Sequence, residues 1–192
     1  MGVNKIARIF PDTEWRPTHY VKVDHSMFED EQPADQISPV AECGAKMLLL
    51  SQFQDTVGDA PNITWVDRCK HHFYPPGHEQ AAQSWHMPEY CTAHNSISLM
   101  AQWAVMLGYE EIYLLGCDLD YTDGNSDHFV EGYYHNVDWQ YKERNESYAL
   151  YAHQVIRRSS PVTVYNATLG GALEVHPRVD LLQILGIAEH QL

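Results

Sequence analysis

Short apolar stretches alternate along the chain with polar, turn-forming ones, at spacings that suit strands and helices in turn. VNKIARIF (3–10) is apolar enough for a strand, and PDTEWRP after it carries turn chemistry. HYVKVD (19–24) alternates, with β-prone Tyr20 among its residues, and ends on Asp24. DEQPADQISP (30–39) reads as an acidic, proline-bounded loop with room for a short helical turn. AKMLLLS (45–51) reads as a buried strand and NITWVD (62–67) as another short one. Residues 68–94 are irregular and rich in His, Pro, Tyr and Trp, the profile of a long functional or capping loop.

The clearest unit follows. NSISLMAQWAVMLGY has apolar groups at 97, 100, 101, 104, 105 and 107, the recurrence of a helix packed on a sheet. Asn95 or Ser96 suits its start and Gly108 its end. EEIYLLGCD then reads as a strand that buries Ile112, Leu114 and Leu115. WQYKERNESYALYAHQVIRR (139–158) is a second long helix, with basic residues in its last turn as the helix dipole prefers. PVTVYNAT (161–168) is another strand, GG breaks the chain, and RVDLLQIL closes it with a short helix. Strands and helices in alternation predict an α/β domain with a parallel or mostly parallel sheet. Ligands of such sheets bind outside the carboxyl ends of the strands. Asp24, the loop from Asp118 to His128, and the NAT at 166–168 all fall at such ends.

Composition narrows the function classes. At 192 residues with 44% hydrophobic residues, the chain suits one domain, taken here as 1–192 with 68–94 and 118–138 as long loop or lid segments. A formal net charge of -14 argues against binding nucleic acid or an anionic membrane surface, both of which need a basic face. No apolar run approaches the length of a membrane span, and the amino terminus lacks a signal-peptide pattern, so a cytoplasmic location is expected. The four cysteines, Cys43, Cys69, Cys91 and Cys117, are widely spaced and read as reduced structural thiols. CKHHFYPPGH (69–78) matches no standard zinc spacing.

The stretch EEIYLLGCDLDYTDGNSDHF (110–129) holds the densest chemistry. Asp118 and Asp120 form a pair that suits Mg²⁺ when phosphates supply the remaining oxygens, whereas Asp123 and Gly124 read as turn formers. His128 and His135 are each either a general base or a surface histidine. Tyr121, Tyr133 and Tyr134 either contact a phosphate or sugar or pack within the loop. Ser96 is either an anion contact at a helix start or a plain cap. GxGxxG, GxxxxGK[ST] and GxSxG are all absent, which lowers dinucleotide dehydrogenases, P-loop enzymes and α/β-hydrolases.

Taken together, GVNKI with WRPTHYVKVD, NSISLMAQWAVMLGYEEIYLLGCDLDY, and VYNATLGGALEVHPRVDL resemble the DUF115 family across nearly the whole chain. That family is Rossmann-like and is similar to the archaeal 6-hydroxymethylpterin diphosphokinases. More distantly, GVN, the Ser96 helix and LGYEEIYLLGCD resemble the bacterial sialyltransferases that use CMP-sialic acid. The resemblance implies a Rossmann-like three-layer fold. It implies nucleotide contacts at Asn4, Ser96 and Asp118, to which strand-end position adds Asp24 and Asn166. It further implies a lid tyrosine at Tyr121 near the departing phosphate, with His135 or His128 as base. Both families also carry a first strand and a GNGPSL-like phosphate loop ahead of the GVN region. The expectation is that this chain lacks them, either because it is truncated at its amino terminus or because another segment or a second subunit, as in a homo-oligomer, fills their place.

Three functions follow as expectations. The first is a nucleotide-sugar-dependent glycosyltransferase, sialyltransferase-like, with a nucleotide or nucleotide-sugar as ligand. The second is a diphosphokinase with Mg²⁺ on Asp118 and Asp120. The third is a non-catalytic nucleotide-binding or assembly domain.

Overall fold

The computed structural model describes residues 1–23, 33–67, 85, 96–119 and 139–187. In chain order these form β1 (Gly2–Val3), a 3-10 turn over Ile6–Ile9, β2 (His19–Lys22), α1 (Pro33–Glu42) and β3 (Lys46–Leu50). A second 3-10 turn (Ser51–Phe53) runs into α2 (Gln54–Val57), and β4 (Ile63–Val66), α3 (Ser96–Met106) and β5 (Glu111–Leu114) follow. α4 (Trp139–Ser159), β6 (Thr163–Asn166) and α5 (Leu181–Leu185) complete the order. β1 to β4 make a four-stranded sheet in sequence order, β5 and β6 a two-stranded one, and every pairing is parallel.

β3 shows why the sheet is a middle layer. Met47, Leu48, Leu49 and Leu50 are all buried, although successive side chains point to opposite faces. An unbroken apolar run of this kind belongs to a parallel strand covered on both sides. On one face Val21, Leu48, Leu50 and Val66 cluster with Leu99 and Trp103 of α3. On the other, Tyr20, Met47 and Leu49 cluster with Ile37 and Val40 of α1, and Ile6, Ala7 and Phe10 pack against them. Helix, sheet and helix are the three layers of a Rossmann-like α/β fold.

α3 also serves the second sheet. Ala101 clusters with Leu114 of β5, Ile156 of α4 and Val164 of β6, with Ile97 and Val105 at the margin. The spacing predicted one apolar face over 97, 100, 101, 104, 105 and 107. Instead Leu99 and Trp103 are buried while Leu107 is exposed. The reason is that α3 packs on two sheets at once, so its buried arc is wide. Ser98 and Gln102, one turn apart and both fully buried, lie between its two apolar flanks.

Three other elements differ from expectation. The apolar run 3–10 is a strand only through Val3, because Asn4 turns the backbone at φ 50 and the next residues wind into a 3-10 turn. Its apolar side chains pack on the α1 face without extending the sheet. The stretch 33–42 is a helix, not a loop. Pro33 stands at its first position, where a missing N–H is no loss, and burial of Ile37 and Val40 outweighs the interior Pro39. Leu115 is exposed, since β5 ends at Leu114 and Gly116 takes φ 69. Among the described residues, no helix is long and apolar enough to cross a membrane.

Leu99→Ala is expected to lower unfolding free energy by about 2–5 kcal/mol, the range for large-to-small changes at a fully packed site. Leu107→Ala, at an exposed position, is expected to change it by less than about 0.5 kcal/mol. Urea titration of both variants checks this, and equal effects would contradict the placement of α3.

Candidate functional site

Parallel strands bring their carboxyl ends to one edge, and β1 delivers Asn4 there. Asparagine tolerates the left-handed backbone at this position better than most residues. The turn is fixed by its amide N–H, which donates to Val21 O at 3.3 Å, and by Tyr20 Oη, which donates to its carbonyl at 2.6 Å. Ser96 Oγ, at the start of α3, donates to Asn4 Oδ1 at 3.3 Å. With its Oδ1 engaged in this way, the Asn4 side chain has its Nδ2 group as its donor end. Ser96 is therefore tied to Asn4, whichever of its two sequence readings is taken.

The ends of β5 and β6 are laced together. Cys117 N–H donates to Thr168 Oγ1 at 3.0 Å, and Asp118 O accepts from Ala172 N at 2.7 Å and Leu173 N at 2.9 Å. A Cβ on Gly171 would stand 2.5 Å from Asp118 Cβ and 2.7 Å from its Cα, and Gly171 also has φ 78. Only glycine fits there on both counts. Asn166 is fully buried. Its Nδ2 donates to Leu173 O at 3.0 Å and its Oδ1 accepts from Thr168 N at 3.0 Å. Arg178 holds the outside of the loop, donating to Thr168 O at 3.3 Å, Gly170 O at 2.6 Å and Gly171 O at 2.8 Å, with an ion pair to Glu174 at 2.9 Å.

Two pairs of sequence-selected residues thus meet. Asn4 and Ser96 touch directly, and Asp118 and Asn166 are joined through Leu173, whose N–H donates to Asp118 O and whose carbonyl accepts from Asn166. α3 turns back into β5 through residues 107–110 and both pack on one apolar cluster, so the start of α3 and the end of β5 lie toward the same end. Asn166 shapes the loop from within, while Asp118 is half-buried. Asp24, Asp120, Tyr121, His128 and His135 lie outside the described residues. Among the described residues no group of three or more His, Cys, Asp or Glu is gathered to hold a metal. Asp118 offers one carboxylate, a number that suits Mg²⁺ only when ligand phosphates complete its shell. The Cys117 thiol is pushed up to about 12 by burial, and then by the Asp118 charge, so it stays protonated and is no nucleophile.

Sequence reasoning placed Thr168 in the strand-end NAT cluster but missed Gly171 and Arg178 as makers of this edge. LGG was read as a turn, and nothing in its spacing announces a contact with a residue fifty positions away. It also missed a buried histidine pair behind the loop. His153 Nδ1 on α4 lies 3.1 Å from His176 Nε2, both rings are buried, and His176 Nδ1 has no partner among the described residues. Burial lowers both histidines from 6.5 to about 4, aided for His153 by His176 and for His176 by the Arg157 charge.

No family model, no curated protein and no solved structure matches the chain.

Two predictions follow from this geometry. Gly170→Ala, which meets only backbone strain, should cost about 1 kcal/mol. Gly171→Ala, which also presses on Asp118, should cost about 3 kcal/mol, and equal effects in a denaturation series would contradict the docked loop. Because both histidines have lowered values in the fold, their contribution is present above pH 6.5 and is lost as pH falls from 6.5 towards about 4. Melting temperature should drop over that window in the wild type and drop less in His153→Leu/His176→Phe.

Proposed function

We propose that this chain is the nucleotide-binding domain of a nucleotide-sugar-dependent glycosyltransferase, sialyltransferase-like in kind. The observation that supports it most is the hydrogen-bonded Asn4–Ser96 pair at the strand-end edge that also carries the Asp118 loop. An amide donor held in a fixed orientation suits the neutral acceptor groups of a base or sugar. A helix start beside it favours the negative charge of a nucleotide. The rigid loop behind Asp118 keeps that residue in place without a metal ion to organise it. In the transfer, the acceptor hydroxyl oxygen bonds to the anomeric carbon, the bond from that carbon to the phosphate oxygen breaks, and the nucleotide leaves with the electron pair. The acceptor's proton passes to His135 or His128, and Tyr121 steadies the leaving phosphate, as the resemblance implies.

A thermal-shift panel of CMP, UDP-sugars, GDP-sugars and ATP, each with and without Mg²⁺, tests the reading. A ligand at a hundredfold excess over its dissociation constant adds about 2.7 kcal/mol, a readily measured rise in melting temperature. The expected result is a metal-independent response to CMP or a UDP-sugar that Asn4→Ala and Asp118→Ala each weaken. An ATP response that requires Mg²⁺ would move the assignment to a diphosphokinase, and silence across the panel would overturn nucleotide binding altogether.

A further inference from the structure

We infer that the buried pair of His153 and His176 is an acid-released latch on the segment that backs the Asp118 loop. His153 stands on α4, and His176 stands in the stretch between β6 and α5. His153 Nδ1 and His176 Nε2 are 3.1 Å apart, and each residue is only 2% exposed. The residues on either side of His176 help to make the edge. Three positions before it, Leu173 N–H donates to Asp118 O, and Leu173 O accepts from Asn166 Nδ2. One position after it, Pro177 O accepts from Asn166 N–H, and Val179 N–H then donates to Asn166 O. The histidine pair thus fastens the middle of this segment to α4.

In the neutral pair one ring supplies the N–H and the other the lone pair. If His153 donates, the lone pair left open is on His153 Nε2. If His176 donates, it is on His176 Nδ1, which is buried and has no partner among the described residues. Either way the next proton adds a charge to a buried ring, which costs free energy that contact with water would remove. A second proton sets N–H against N–H and breaks the contact. The surroundings oppose protonation too. Burial, first, lowers both histidines from 6.5 to about 4, followed by His176 acting on His153 and the Arg157 charge acting on His176. No carboxylate is among these influences. Glu174 and Arg178, the charged side chains next to His176 on the segment, are exposed and paired with each other at 2.9 Å. Asp180 is turned to the start of α5, where it accepts from Leu182 N–H.

Freed from α4, the rings meet water and take protons in their ordinary range. Release therefore takes up protons, so the latch holds above pH 6.5 and loosens as pH falls towards about 4. Asp118 and Asn166 are bonded to the segment, so the edge loosens with it. Acid then governs whatever ligand that edge holds. For a nucleotide this consequence rests on the reading proposed above; the release itself does not.

The test is amide hydrogen exchange on the full chain at about pH 7 and about pH 4.5, each rate divided by the unfolded-chain rate at the same pH. At the lower pH a released histidine favours its proton about a hundredfold, so protection of Ala172 and Leu173 should fall by about that factor or more. The β3 amides should keep theirs. His153→Asn/His176→Gln places amide groups near the two bonded nitrogens without a titrating ring, so its loop amides should stay protected at both pH values. Equal protection of the wild-type loop amides at both pH values, an equal loss at the β3 amides, or the same fall in the folded Asn/Gln variant would each overturn the latch. Should that variant not fold, the wild-type comparison of loop with β3 decides alone. CMP, added to the wild type, should raise the melting temperature at the higher pH and lose that effect at the lower one. Silence from CMP at both pH values, with the loop released as described, would count against the nucleotide reading and not against the latch.

Discussion

The candidate site depends on one close approach. The peptide at Gly171 lies against Asp118 at a distance where any side chain would collide with Asp118 Cβ and Cα. Because that approach is possible, Ala172 and Leu173 can direct both their N–H groups to Asp118 O. Those bonds connect the end of β5 to the end of β6, and the Asn166 side-chain amide donates to the carbonyl of Leu173 that follows. Backbone bonding forms the centre of this edge. Arg178 completes it from outside by satisfying three carbonyls that the tight turn would otherwise leave to water.

α3 joins this edge to the rest of the molecule. Leu99 and Trp103 fix the helix to the first sheet, and Ala101 fixes it to the second. Its first residue, Ser96, then meets Asn4 at the end of β1. One helix thus carries information about position from the β1 edge to the β5 edge. Buried Ser98 and Gln102 on its underside show that its path is not set by apolar contacts alone.

Much of the fold was legible because its signals are local. AKMLLLS, NITWVD and EEIYLLGCD show strands through apolar density, and the apolar recurrence over 97–107 and the basic end of 139–158 show helices. What was not legible depends on distant partners. PADQISPVAE looks like a loop until Ile37 and Val40 find Tyr20 and Leu49. VNKIARIF looks like one strand until the left-handed Asn4 divides it. For the site, Asn4, Ser96, Asp118 and Asn166 could be singled out in the sequence because each stands at an element boundary. Gly171 and Arg178 were not, since their roles come from contacts that no spacing encodes.

The most direct measurement of this account is residue-resolved amide hydrogen exchange at Ala172 and Leu173. Ala172 is exposed, so only its bond to Asp118 O can slow its exchange. If the β5 and β6 loops are locked as described, both amides exchange far more slowly than the unfolded-chain rate, and they slow or quicken together. Exchange of both at the unfolded-chain rate, in a protein whose β3 amides remain protected, would show that the loop is not held on Asp118 and would remove the basis of the site.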